Sequence, residues 1–150
     1  EPVEDEATEL VNAAATREYW NGVTSALDHE ARTRSQKPSA RDGWQLFDYI
    51  VSRRDAHAET VQQLQELPSA EVDQRLLEFG GRVEDWHQRG AELYARAADL
   101  LTDSGSTDLG GPVAQSWQSA ATQHRMEERL LLERRQTVEQ YVRRHAVESE

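Results

Sequence analysis

The apolar residues between positions 72 and 100 recur every three or four residues, and this rhythm constrains the fold more than any other feature of the chain. A seven-residue repeat of this kind is typical of a helix that packs in a left-handed bundle. Gly80, Gly81 and Gly90 interrupt the segment, and each costs about 1 kcal/mol relative to alanine inside a helix. We therefore expect a kink or a close helix contact at these glycines. The repeat runs through Val72, Leu76, Phe79, Val83, Trp86, Gly90, Leu93, Ala97 and Leu100.

Three breaks divide the chain into four segments with helical spacing of apolar residues. Residues 34–43 form a polar loop, and residues 102–112 form the longest loop. Between them lies a tight break at Pro68, after which Ser69 is the expected cap of the next helix. Pro112 suits the first turn of the last helix. The spacing predicts helices over residues 5–33, 42–66, 70–102 and 112–147.

The fold class that follows is all-α, because no segment shows a period-two run rich in β-branched residues. Connections of short or moderate length between long helices favour a four-helix antiparallel bundle with up-down-up-down topology. We interpret residues 1–150 as one such domain, a size that buries a core without disulfides, and the chain has no cysteine. Each segment carries one tryptophan. We interpret these tryptophans as packing in the core or at its rim, in preference to forming an aromatic box that binds a ligand.

Charge and hydropathy narrow the classes of partner. The formal net charge of −11 argues against nucleic acid and against an anionic membrane surface. No run of about 18 apolar residues is present, so we expect no membrane span within this chain. Lys37 is the only lysine, and we interpret this preference for arginine as the mark of a GC-rich bacterial genome. Because the chain opens at Glu1 without a signal-peptide pattern, we expect a processed or excised piece of a larger protein.

Polar residues interrupt the apolar stripes and supply the candidate site. Helical rise places four of them at similar heights in the middle third of the bundle. Arginine offers a planar fork of donors that matches a carboxylate or a phosphate, and histidine adds a donor and pH dependence. We predict that these four bind a small anionic ligand: Arg17, Arg54, His57 and Arg135. The alternative is that the arginines extend to the surface or form ion pairs with flanking acids such as Glu18, Asp55, Glu59 or Glu84.

Metal and enzyme chemistry find less support in the sequence. Di-iron carboxylate bundles need two Glu-x-x-His motifs, and the chain has one, from Glu84 to His87, with His87 placed beside the apolar stripe. We predict no metal site, no cofactor and no catalytic residue. If the chain were an enzyme, the candidate acid/base pair would be His124 and Glu128, which lie one turn apart on one helix face. They lie nearer the end of the bundle that carries the 34–43 loop.

Two functions from different classes remain open. The first is an extracytoplasmic, periplasmic ligand-sensing domain of a bacterial membrane receptor, since up-down-up-down topology puts both termini at one end. In architecture alone, this arrangement resembles the helical sensor modules of bacterial chemoreceptors and sensor kinases. The second is a protein-interaction or scaffolding module, because charged helix faces rich in arginine and glutamate suit solvent, a protein partner or a homodimer. A metal-binding bundle is a further alternative. Apolar segments flanking this chain in the parent gene would favour the sensor.

Overall fold

The computed structural model describes residues 2–35, 43–104, 109 and 111–148, and within these ranges the chain is all-helical. The helices agree in number with the sequence pattern; four of their eight ends extend beyond the predicted bounds and the other four fall short of them. A single 3-10 turn, Pro112–Ala114, precedes the last helix. The bounds are α1 Pro2–Ser35, α2 Gly43–Gln65, α3 Gln74–Ser104 and α4 Gln115–Glu148.

The start of α3 differs from the prediction. We expected Ser69 to cap a helix beginning near residue 70, whereas α3 begins at Gln74. Asp73 provides the cap instead, because its Oδ1 accepts a hydrogen bond from the Arg75 backbone N–H at 2.9 Å. Glu71 lies in the left-handed region with φ of 63°, a conformation that cannot continue a helix. The turn therefore occupies four residues that the apolar pattern assigned to α3.

The start of α4 follows the proline rule. Pro112 opens the 3-10 turn, where its missing N–H costs nothing. The Ala114 N–H bonds the Gly111 carbonyl at 3.1 Å and closes that turn before α4 proper begins at Gln115. The remainder of the predicted 102–112 loop lies largely outside the described residues, as does the predicted loop 34–43 after Ser35.

The core contains two apolar clusters with a polar cluster between them. The predicted α3 stripe is buried, apart from Leu100, which is partly exposed. The larger cluster is built mainly from α1 and α3, with contributions from α2, α4 and Val72: Tyr19, Trp20, Val23, Ala26, Leu27, Leu64, Val72, Leu76, Phe79, Val83, Val138 and Val142. The smaller cluster joins α2 to the C-terminal half of α3: Ile50, Ala97, Ala98 and Leu101.

Two of the three α3 glycines mark close helix contacts. A Cβ at Gly80 would overlap the hydroxyl of Tyr19 on α1, and a Cβ at Gly90 would lie 2.8 Å from the His57 ring on α2. Gly81 faces open space. The expected close approach is therefore present at Gly80 and Gly90. Among the described residues, no helix combines the length and the apolar content needed to cross a membrane.

Candidate functional site

Of the four predicted ligand-binding residues, the structure places one in the bundle interior. His57 is completely buried, at the centre of a polar cluster to which all four helices contribute. This cluster, called the interior cluster below, consists of Glu30 and Arg34 from α1, Arg53 and His57 from α2, His87 from α3, and His124 and Glu128 from α4.

The three predicted arginines lie elsewhere. Arg54 points outward and pairs with its neighbour Asp55 at 3.1 Å. Arg135 forms two hydrogen bonds with the exposed Asp28, at 2.9 and 3.3 Å. Arg17 lies on α1 about 20 Å of helical rise from Glu30 and about 26 Å from Arg34. The structure therefore does not gather the four predicted residues into one site, and Arg54 follows the alternative of pairing with a flanking acid.

A chain of ion pairs links three helices through Glu30. Its carboxylate, 1 % exposed, accepts hydrogen bonds from Arg53 and from Arg34, the latter at 2.6 Å. Arg34 also donates to Glu128 on α4 at 2.6 Å. Two guanidinium groups thus face two carboxylates, and the charges within this chain cancel. Such pairing offsets the cost of desolvating buried ions.

Charge pairing and burial set the protonation states of this chain. Burial alone would raise the pKa of Glu30, but the positive charges of Arg53 and Arg34 outweigh it, so that the pKa lies below the usual 4.5. Burial likewise disfavours the charged form of Arg34, whereas its bonds to Glu128 and Glu30 raise its pKa above the usual value. Glu30 is therefore a carboxylate at neutral pH, and Arg34 is a cation.

Two histidines face each other beside this chain. The Nδ1 atoms of His57 and His87 lie 2.8 Å apart, so that one ring donates a proton and the other accepts it. His57 Nε2 lies 3.3 Å from Arg53 Nη2 and 3.3 Å from Glu30 Oε1. If Arg53 donates to His57 Nε2, the ring proton of His57 is on Nδ1, and His57 donates to His87. If His57 Nε2–H donates to Glu30 instead, His57 Nδ1 is an acceptor, and His87 Nδ1–H donates to it. The pair therefore has two complementary tautomeric arrangements.

Burial keeps these imidazoles neutral. Burial, reinforced by positive charge nearby, lowers the pKa of His57 far below its usual 6.5. Burial lowers the pKa of His87 to about 4, although the carboxylate of Glu30 opposes the shift. Burial also lowers the pKa of His124, against the opposing effect of its hydrogen bond to the Trp86 carbonyl. All three rings are therefore neutral near pH 7.

His124 and Trp86 join α4 to α3 by a reciprocal contact. Trp86 Nε1–H donates to the His124 carbonyl at 2.8 Å, and His124 Nε2–H donates to the Trp86 carbonyl at 2.8 Å. Because a carbonyl only accepts, this bond fixes the Nε2–H tautomer of His124. The two rings stack with centroids 4.1 Å apart and planes 9° apart. Each side chain thus satisfies a hydrogen bond and buries an aromatic face.

Three buried nitrogen atoms have no hydrogen-bond partner within the described part of the chain, and all belong to the interior cluster: Arg34 Nε, Arg53 Nε and His87 Nε2. Within the same residues, no three histidine or carboxylate side chains are arranged to hold a metal ion. Since Glu30, Arg53, His57 and His87 are at most 2 % exposed, a substrate cannot reach their side chains in this conformation. The side chains of the cluster hydrogen-bond mainly to one another.

A surface groove between α3 and α4 is the second candidate site, and it is called the α3–α4 groove below. Its volume is about 980 Å³. Apolar side chains form part of its lining, including Phe79, Trp86, Leu131 and Val138, and Leu130 stands exposed at its edge. A smaller depression of about 280 Å³ continues along the same two helices past His124. Neither is lined by Glu30, Arg53, His57 or His87.

Arginines at seven-residue spacing follow the α3 edge of the groove. Arg75, Arg82 and Arg89 line it from α3. Arg89 bonds Asp85 on its own helix at 3.1 Å and Glu127 across the groove. The guanidinium of Arg75 lies 4.8 Å from the centre of the Tyr141 ring, a distance suited to a cation–π contact. The groove therefore presents ordered positive groups along an apolar floor.

Sequence reasoning missed Glu30, Arg53 and His87 as interior residues. Arg53 and Arg54 are both allowed steps after the buried Ile50, at three and four residues, and the pattern alone does not choose between them. The sequence did contain an indication for Glu30: it lies seven residues, or two helical turns, after the buried Val23, on the same face of α1. His87 was placed beside the stripe and is completely buried, because α3 buries a wider face than one seam.

The polar interior and the groove both lie against α3, and both depend on its contact with α4. Glu30, Arg53, His57 and His87 of the interior cluster are buried, while the groove is open and mixed in charge. Comparison of the chain with protein-family models, with curated proteins and with solved structures finds no match.

Proposed function

We propose that this chain is a non-enzymatic protein-interaction module that binds its partner in the α3–α4 groove. The observation that carries the proposal is the groove itself, about 980 Å³ in volume with an exposed leucine at its edge. The interior cluster serves in this proposal as the polar core that holds the helices together. Its arginines are already neutralised by Glu30 and Glu128, which leaves them little attraction for a small anion.

The scaffold of the proposed module is a four-helix antiparallel bundle with up-down-up-down topology. The supporting contacts run in opposite order along α3 and α4. Trp86 on α3 pairs with His124 on α4. Seven residues further along α3, the Leu93 carbonyl accepts a hydrogen bond from Trp117 Nε1 at 2.7 Å, and Trp117 lies seven residues before His124 on α4. Contacts between α1 and α4 follow the same inverse order. This order is expected when neighbouring helices are antiparallel.

Exposed apolar side chains on α4 support the binding role of the groove. Leu130 is 64 % exposed and Met126 is 60 % exposed, and one helical turn separates them. Leu130 lines the groove together with the partly buried Leu131. Single exposed apolar residues are common, but an apolar edge continuous with a concave apolar floor is typical of a protein contact.

The test uses two matched leucines on the same helix. Leu132 is 46 % exposed but does not line the groove, so Leu132→Asp controls for the charge and the substitution. A photo-crosslinking residue at the groove position Thr137 identifies a candidate partner, which is then purified and titrated. We expect Leu130→Asp to weaken the Kd by about tenfold or more, because it places a charge in an apolar contact, and Leu132→Asp to leave it unchanged. Equal effects of the two substitutions would refute the groove as the binding surface.

A small-anion sensor is the second candidate, since the three buried nitrogen atoms without a partner all lie in the interior cluster. The predicted ligand residues Arg17, Arg54, His57 and Arg135 stay a hypothesis to be tested directly. A thermal-shift screen against acetate, phosphate and nitrate would support it if one anion stabilises the wild type and not Arg17→Ala or Arg135→Ala. An anion that shifts all three proteins equally, or no shift with any anion, would contradict it.

A further inference from the structure

The arginines of the α3–α4 groove repeat at the period of a coiled coil. Arg75, Arg82 and Arg89 are separated by seven residues each, which is about 10.5 Å of helical rise per step. An acidic row, Glu78 and Asp85, runs parallel to them with the same spacing. Arg75 contacts the Tyr141 ring and Arg89 pairs with Asp85 and Glu127, so Arg82 is the arginine of this row that a carboxylate of a partner would meet.

Positive charge is concentrated in the groove relative to the rest of the molecule. Five arginines and four acidic residues line it, whereas the whole chain has 17 basic and 28 acidic residues. Within the part of the chain that the structure describes, Arg82, Arg134 and Arg144 form no ion pair. These three stand on both sides of the groove, two on α4 and one on α3. An occupant with carboxylates along both flanks would pair with them.

The dimensions of the groove suit a single helix. Between Arg75 and Arg89 the groove follows α3 for about 21 Å, which is about four turns of a helix. The floor is lined by Phe79, Leu131 and Val138, and Leu130 stands at the rim. Because Phe79 and Val138 belong to the buried core, the partly buried Leu131 and the exposed Leu130 are the more accessible apolar groups. A helix with one apolar stripe fits such a floor in the helix-in-groove mode of recognition.

We infer that the α3–α4 groove binds an amphipathic helix of a partner protein whose apolar stripe is flanked on both sides by glutamate or aspartate. The inference rests on the proposed function and adds the chemical class of the partner. The apolar stripe packs on the floor, and the flanking carboxylates meet Arg82 from one side and Arg134 and Arg144 from the other. A second copy of this chain is disfavoured as the occupant, because each copy carries a net charge of −11 and the copies repel.

The test is a display selection on the whole chain. The library consists of helical peptides of about three heptads, with leucine fixed at the two apolar positions and Glu, Lys, Gln or Ala varied at the two flanking positions. Selection is run against the wild type, against the groove variant Arg82→Glu/Arg134→Glu, and against the control Arg125→Glu/Arg129→Glu. The control changes charge equally, at exposed α4 positions that do not line the groove. Circular dichroism establishes that the variants fold.

The expected result is enrichment of acidic flanking positions with the wild type and the control, and enrichment of lysine with the groove variant. The best acidic peptide should bind the groove variant about tenfold more weakly than the control. Binders that are lost in Leu130→Asp but show no acidic preference would overturn this inference and leave the proposed function standing. Failure to recover any peptide sensitive to Leu130→Asp would count against both. A homodimer of the wild type that dissociates in the groove variant would assign the groove to a second copy and overturn the inference.

Discussion

Acidification should begin to destabilise this protein above the pH at which its carboxylates titrate, because the interior cluster holds neutral histidines. Burial lowers the pKa of His87 to about 4 in the folded chain, against 6.5 as its ordinary value. The unfolded chain therefore binds more protons than the folded chain between these two values. The contribution of His87 to stability is fully present above about pH 6.5 and is lost progressively as the pH falls towards about 4.

The magnitude follows from the two pKa values of His87. Between about pH 7.5 and about pH 5, this residue alone lowers the free energy of unfolding by about 2 kcal/mol. His57 and His124, whose pKa values are also lowered, act in the same direction. Glu30 does not contribute in this interval, because its pKa lies below 4.5 and its stabilisation is lost only in stronger acid. The other charged groups that face the pair are the guanidinium groups of Arg34 and Arg53, and the Tyr94 ring stacks on His57.

Urea denaturation followed by circular dichroism at constant ionic strength measures this effect. We expect the wild type to lose at least about 2 kcal/mol over the interval, and His87→Leu to show a loss smaller by about that amount, whatever its absolute stability. His29→Gln removes a histidine outside the interior cluster and serves as the matched control. A wild-type free energy of unfolding constant to within about 0.5 kcal/mol from about pH 7.5 to about pH 5 would refute the reasoning.

Two further predictions compare matched pairs of sites by chemical denaturation. Gly90→Ala should lower the free energy of unfolding by about 1 to 3 kcal/mol, because the added Cβ meets the His57 ring. Gly81 faces open space, so Gly81→Ala should raise the free energy of unfolding by about 0.5 to 1 kcal/mol. A change of the same sign at both positions would contradict the packing. Arg53→Met should lower the free energy of unfolding by about 3 to 5 kcal/mol, because it removes a partner of the buried Glu30 carboxylate. Arg135→Met breaks an exposed ion pair and should lower it by about 1 kcal/mol or less. Equal losses would show that burial does not set the strength of the two ion pairs.

The sequence predicted the fold class and most of the α3 core, because both depend on helical periodicity. The α3 stripe from Val72 to Ala97 is buried as expected, and Pro112 opens the turn before α4. The start of α3 was missed because Ser69 and Asp73 are both good caps, and only the left-handed Glu71 between them decides in favour of Asp73. Local chemistry allowed either residue, and the path of the turn selected one.

The candidate site was less accessible to sequence reasoning. Successive residues of a helix are about 100° apart, so Arg53 and Arg54 lie on opposite flanks of the same stripe, and the side that faces α1 depends on helix rotation. The partner decides the outcome: Glu30 lies opposite Arg53 and binds it. The groove was inaccessible for a similar reason, since it exists only once α3 and α4 are set side by side. The arginine period along α3 was nevertheless visible in the printed sequence.

The reciprocal contact of Trp86 with His124 has a consequence for how the groove would bind. A shift of α4 along α3 by one residue, about 1.5 Å, would disturb both hydrogen bonds and the ring stack at once, because the same two residues form all three contacts. The register of the two helices is therefore locked before any partner arrives. A surface fixed in this way loses little conformational entropy on association, so more of the contact energy is available as affinity. The histidine and tryptophan inside the bundle would thus preorganise the proposed binding surface outside it.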